Sequence, residues 1–159
     1  MNSPRIILGI DPGLRHTGWG IVAQDGNRLS FIAAGRISPK PELPMTARLL
    51  TLAEGIAEVV RVHAPTEAAI EETFVNKNAH SALLLGQARG SAILALAQNG
   101  LTVAEYSANR IKQSITGHGH AEKTQIQMMI GILLPGSGKL AADAADALAV
   151  AITHAHHGV

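Results

Sequence analysis

Arg5-Ile6-Ile7-Leu8-Gly9-Ile10-Asp11-Pro12-Gly13 is the stretch that decides how this chain folds. An apolar run closed by a carboxylate and a Pro-Gly turn reads as a buried strand whose last side chain stands on an open sheet edge. Working outward, residues 17–24 and 28–37 read as two more strands, joined by the tight-hairpin signal Asp25-Gly26-Asn27. The proline-rich 38–44 segment is a loop. Thr46 is then the expected N-cap of a helix of about 17 residues, with Leu49, Leu52, Ile56, Val59 and Val60 on one side and Ala64-Pro65 as its stop. Residues 67–71 form a short strand ending in Glu71. A polar stretch leads into a long helix that runs to Gln98 and ends at Asn99-Gly100 with a left-handed cap. A fifth strand (101–106), a short helix capped by Ser107, the loop Thr116-Gly117-His118-Gly119-His120, a helix over 121–133 and a last helix over 140–156 complete the chain.

A three-strand antiparallel meander followed by helix–strand–helix–strand crossovers gives an α/β fold. It is a mixed five-stranded sheet with two parallel strands, flanked by helices, in one domain over residues 1–159. The first strand is central and the fourth lies parallel beside it, so Asp11 and Glu71 end neighbouring strands on one edge. Glu72 alternates to the other face. Asp143 and Asp146, three apart on the last helix, point the same way. If that helix crosses the edge, four carboxylates meet in a ribonuclease-H-like arrangement. Two such charges 4 Å apart repel by roughly 4 kcal/mol at an effective dielectric near 20. The natural tenants are one or two Mg²⁺ or Mn²⁺ ions. Each acid also has a blander reading: Asp11 as a turn former, Asp143 and Asp146 as partners of a helix dipole.

The composition is globular, with 47% apolar residues in 159, and the absence of cysteine excludes thiol nucleophiles and zinc–thiolate sites. The N-terminus reads as neither a signal peptide nor a membrane span, so a cytoplasmic protein is expected. A formal charge of +1 announces no polyanion partner by itself, but sequestering four acids around metal leaves the remaining surface more basic. The eight histidines, including His118, His120, His154, His156 and His157, lack a fixed metal-site spacing and are expected to be exposed. Pro135-Gly136-Ser137-Gly138-Lys139 lacks the spacing of a phosphate loop.

Five collinear blocks carry a resemblance. These are Gly9-Ile10-Asp11-Pro12-Gly13 with Thr17-Gly18-Trp19-Gly20, Ala69-Ile70-Glu71, Lys77-Asn78-Ala79 with Leu85-Gly86-Gln87-Ala88-Arg89-Gly90, Ala121-Glu122-Lys123, and Asp143-Ala144-Ala145-Asp146-Ala147-Leu148-Ala149. Together they resemble the RuvC family of Holliday-junction resolvases over essentially the whole chain, which departs from the family at His80 and Leu84. The resemblance implies a homodimeric endonuclease of homologous recombination and DNA repair that nicks four-way junction DNA symmetrically. It implies two Mg²⁺ per site, with Mn²⁺ as a substitute, Asp11, Glu71, Asp143 and Asp146 as ligands, and a branch-migration helicase as partner.

Lys112 and Lys123 flank the Gly-His loop as candidates for phosphate contacts, or are ordinary solvated lysines. Phe74 either wedges against unstacked bases or packs in the core. Lys77, Asn78 and Arg89 complete the expected DNA-binding set. Gly86 and Gly90, with Leu83 and Ile93 around them, suggest a close helix–helix approach, and a two-fold dimer through that helix is what the resemblance implies. The rival readings are an ATPase sharing the core fold, a catalytically silent junction binder, and a nuclease for single strands or hybrids.

Overall fold

The computed structural model describes residues 2–72 and 78–158. Phe74 and Lys77 therefore lie outside the described residues. Chain order is β1 Arg5–Asp11, β2 Thr17–Asp25, β3 Arg28–Ile37, α1 Met45–His63, β4 Glu67–Glu71, α2 Ala79–Gln98, β5 Val103–Tyr106, α3 Ala108–Thr116, α4 Lys123–Leu133 and α5 Ala142–His157. The sheet order is β3-β2-β1-β4-β5, with β1–β2 and β2–β3 antiparallel and β1–β4 and β4–β5 parallel. This is the mixed sheet that the order of segments predicts. Among the described residues no helix is long and apolar enough to cross a membrane.

Alternation along the strands sorts the core into two layers. Leu8, Ile10, Ile21, Ala68 and Ile70 face α1 and α2, meeting Leu52, Ile56, Ala88, Ala92 and Leu96. Ile7, Val22 and Ala69 face the other way, against α3, α4 and α5. The two layers differ in how closely helix and sheet approach. Gly9, Gly18 and Gly20 line the second face, and α5 lies directly on them. A methyl group on Gly9 would stand 2.2 Å from the Ala147 carbonyl oxygen, and one on Gly18 would stand 2.0 Å from that of Asp143. With α3 and α4 packed around it as well, α5 is buried almost all round from Ala144 to Ala155.

His154 corrects the expectation of exposed histidines: it is 8% exposed. Its Nε2 stands 3.0 Å from Glu67 Oε1 and its Nδ1 2.8 Å from the Tyr106 hydroxyl. Glu67 in turn accepts two hydrogen bonds from Arg5, at 2.7 and 2.8 Å. Arg5 and Glu67 begin β1 and β4, whereas Asp11 and Glu71 end them. α5 is thus pinned at one end of the sheet by a polar network and pressed at the other onto Gly18.

Helix ends differ in detail from the sequence reading. α1 starts at Met45, so that Pro44 and not Thr46 is its N-cap, and proline has no side-chain acceptor to cap the helix. Ser107 caps α3 as expected, accepting from Arg110 N–H. α4 begins at Lys123 rather than near 121, with Gln125 Oε1 accepting from Glu122 N–H. After α2 the expected left-handed cap at Asn99-Gly100 is present, with Gly100 at φ +81°.

A methyl group at residue 18 has nowhere to go, whereas at residue 86 it meets nothing within 4 Å. Gly18→Ala should cost about 1–3 kcal/mol through overpacking, and Gly86→Ala should stabilise the isolated chain by about 0.5–1 kcal/mol. Urea unfolding of both variants checks this, and equal effects would contradict the described α5 contact.

Candidate active site

Asp11 is the last residue of the central strand, and its geometry is set by the turn behind it. The Thr17 side chain, fully buried, donates to the Gly13 carbonyl (2.6 Å) and accepts from Gly13 N–H (3.1 Å), closing the 13–17 loop. Across the strands Asp11 pairs with Gly18, and Gly18 with Arg36, so all three share one face of the sheet. Because Gly18 has no side chain, the first turn of α5 fits between Asp11 and Arg36, bringing in Asp143. Glu71 ends β4, two residues past Ala69, the partner of Gly9, and so projects on the same face as Asp11. Glu72 is exposed, and its N–H donates to the Tyr106 carbonyl.

The electrostatics tie the four acids together. Burial pushes the Asp11 carboxyl up to about 8, helped in turn by the negative charges of Asp146, Glu71 and Asp143, with Lys123 opposing. Burial likewise raises Glu71, reinforced by Asp146 and opposed by Lys112 and Lys123. Asp146 is raised by burial, with Lys123 opposing and Asp143 reinforcing. Two cations lean in from either side. Arg36 Nη1 is 3.5 Å from Asp143 Oδ2, and Lys123 Nζ is 3.5 Å from Asp146 Oδ2. With those two acids turned toward basic partners, no three His, Asp or Glu groups among the described residues converge as a ready cage for one ion. The donor set is nonetheless all carboxylate oxygen, the chemistry that suits hard divalent cations, and its mutual repulsion is what such a cation would relieve.

Lys112 and Lys123 line a cavity of about 130 Å³ together with Glu71 and Asp146, so both stand at the acidic cluster. Asn78 caps α2, its side-chain oxygen accepting from Ser81 N–H at 3.2 Å. Arg89 is mostly buried and paired with Glu105, so its charge is already engaged within the chain. The sequence reading passed over Arg36 and Thr17. Thr17 was legible as a polar residue closing the Asp-Pro-Gly turn, but nothing local marks Arg36.

A mixed sheet in this order, with acidic side chains at the ends of β1 and β4 and a helix laid across them, is the ribonuclease-H-like class of fold. The family described as crossover junction endodeoxyribonuclease RuvC matches residues 7–154. The chain is 59% identical to the crossover junction endodeoxyribonuclease RuvC of Rhodopseudomonas palustris (strain TIE-1), over 97% of this chain and 88% of that protein. It is 58% identical to that of Azorhizobium caulinodans, over 95% and 89%. Among solved structures, T. thermophilus RuvC in complex with Holliday junction substrate matches with a TM-score of 0.88 at 31% identity, covering 95% of this chain and 93% of that one. The yeast mitochondrial Holliday junction resolvase Ydc2 shares the fold, with a TM-score of 0.67 at 11% identity over 92% and 76% of the two chains. This chain belongs to the crossover junction endodeoxyribonuclease RuvC family.

The raised Asp11 carboxyl has a direct consequence. With an ordinary value of 3.8 and a folded value of about 8, the native state holds a proton that the unfolded chain has lost. Stability without divalent metal should therefore fall as pH rises from about 4 to about 8. Asp11→Asn should flatten that slope, read by urea unfolding at pH 5 and pH 8 in EDTA. An identical slope in the variant would contradict the burial of this charge.

Proposed function

We propose that this edge hydrolyses one phosphodiester bond in each of two strands of a four-way DNA junction, residues 1–159 acting as one nuclease domain. Membership of the family makes the chain a Holliday-junction endonuclease and implies use of a divalent metal. The finer reading is two Mg²⁺ ions per site, held by Asp11, Glu71, Asp143 and Asp146. The observation that carries it is the placement of Asp11 and Glu71 at the ends of neighbouring strands with α5, bearing Asp143 and Asp146, laid directly against Gly18 beside them. Asp11, at the end of the central strand, would be one of the residues that hold the metal. Bound there, divalent ions would activate the attacking water and stabilise the departing 3′-oxygen.

The chain's own groups handle the rest. The buried Thr17–Gly13 clasp closes the loop that follows Asp11, and α5 sets Asp143 and Asp146 relative to that strand end. Lys112 and Lys123, beside Glu71 and Asp146, can pair with a scissile-strand phosphate.

Two symmetric cuts require two sites related by a two-fold axis. Leu83 and Leu94 on α2 are 69% and 58% exposed, and Gly86 and Gly90 between them have open space beside them. That apolar stripe supports a homodimer through α2. Leu83→Arg should shift the protein toward monomer in sedimentation at micromolar concentration and abolish paired cutting. A wild-type protein that sediments only as monomer would overturn the dimer.

Paired, symmetric nicks on a synthetic immobile junction should appear with Mg²⁺ and vanish with EDTA. Asp11→Asn should abolish them while retaining junction binding. Undiminished nicking by that variant would remove Asp11 from the chemistry.

A further inference from the structure

A second feature of the same edge lies on the other side of the Asp11 turn. A cavity of about 310 Å³ opens between the turn after β1, α1 and the start of α2, lined by Leu14, Arg15, Arg48, Ser81, Leu84 and Leu85. Its chemistry is two-sided: three leucines form an apolar wall, and two guanidiniums with one hydroxyl supply only cationic and neutral polar groups. Among the described residues no carboxylate lines it. Neither arginine has an ion-pair partner among the described residues, whereas Arg5, Arg36, Arg61 and Arg89 each pair with an acid. Arg48 Nε is buried and meets no acceptor among the described residues. A buried guanidinium N–H left unmatched is costly, and the planar fork of an arginine held without an acid is well suited to bidentate binding of two phosphate oxygens.

Arg15 follows Asp11 by four residues, so the two Cα atoms are at most about 14 Å apart, and the Thr17–Gly13 clasp keeps that segment compact. The cavity therefore neighbours the acidic edge on the side away from Lys112 and Lys123. Leu84 supplies part of its apolar wall.

The geometry points to a nucleotide-binding subsite for the junction strand, in which Arg15 and Arg48 hold one backbone phosphate and Leu14, Leu84 and Leu85 pack against its sugar. The inference rests on the nuclease reading but adds a contact on the opposite flank of the cleavage site. A strand gripped on both sides of the acidic edge cannot slide along it, which fixes the bond presented for cutting.

The test measures junction binding in Ca²⁺ without cleavage, using the full chain and four variants: Arg15→Ala, Arg48→Gln, Arg48→Ala and the Arg15→Ala/Arg48→Gln double. Arg15 is exposed, and Arg48→Gln retains much of the stem, so at least these should fold; thermal melting verifies it. The double variant should lower the salt slope of binding by about one unit, the loss of one phosphate contact. Neutral methylphosphonates are then placed singly along the cleaved strand. At one position the substitution should weaken wild type about tenfold, the scale of one charged hydrogen-bonded contact, yet add nothing in the folded double variant. If the variants keep the wild-type slope, or every methylphosphonate penalises them as it does wild type, the subsite is overturned while junction cleavage still stands. Failure of wild type to nick junctions in Mg²⁺ would instead sink the nuclease reading, and the binding measurement keeps the two failures apart.

Discussion

The contact between α5 and the glycines of β1 and β2 is the constraint from which the acidic edge follows. Helices usually lie on sheets with a layer of side chains between them; here Gly9 and Gly18 remove that layer, so backbone meets backbone. Only this depth of approach lets the first turn of α5 enter the row that Asp11 and Arg36 occupy. A larger residue at any of these positions lifts the helix and carries Asp143 and Asp146 away from the strand ends. At the far end, Arg5, Glu67, His154 and Tyr106 stop α5 from sliding or rotating. One helix, held at two points, converts close packing into the placement of charge.

The consequence is an electrostatic conflict built into a well-packed core. Burial and three acidic neighbours raise the Asp11 carboxyl, and Arg36 and Lys123 offset the two acids of α5 from outside. Such a cluster does not serve folding, since exposed pairs contribute little and buried like charges oppose it. Its value lies in the strength with which it would hold a hard divalent cation.

Much of this was legible in the sequence, because it depended on local pattern. The apolar run before Asp11, the Gly26 hairpin and the i, i+3 spacing of Asp143 and Asp146 gave the strand order, the edge and the shared face. Arg36 was not legible, and the reason is a β-bulge. The β2–β3 register shifts by one residue between Ile21 and Val22, so Ile21 pairs with Ala33 but Val22 with Phe31. Without that extra residue Arg36 would sit opposite Thr17 and face away from the acids; a one-residue slip reverses every side chain beyond it. His154 was misjudged for another cause. Its setting in a histidine-rich tail suggested solvent, but α5 is apolar on all sides, the mark of a helix surrounded by protein.

The most direct measurement is an anomalous-scattering map from crystals of the full chain grown or soaked with Mn²⁺. The account predicts a pair of peaks about 4 Å apart, the spacing of two-metal sites, with Asp11 between them and Glu71, Asp143 and Asp146 around them. Peaks away from these carboxylates, or none at saturating Mn²⁺ in crystals that also hold junction DNA, would contradict it.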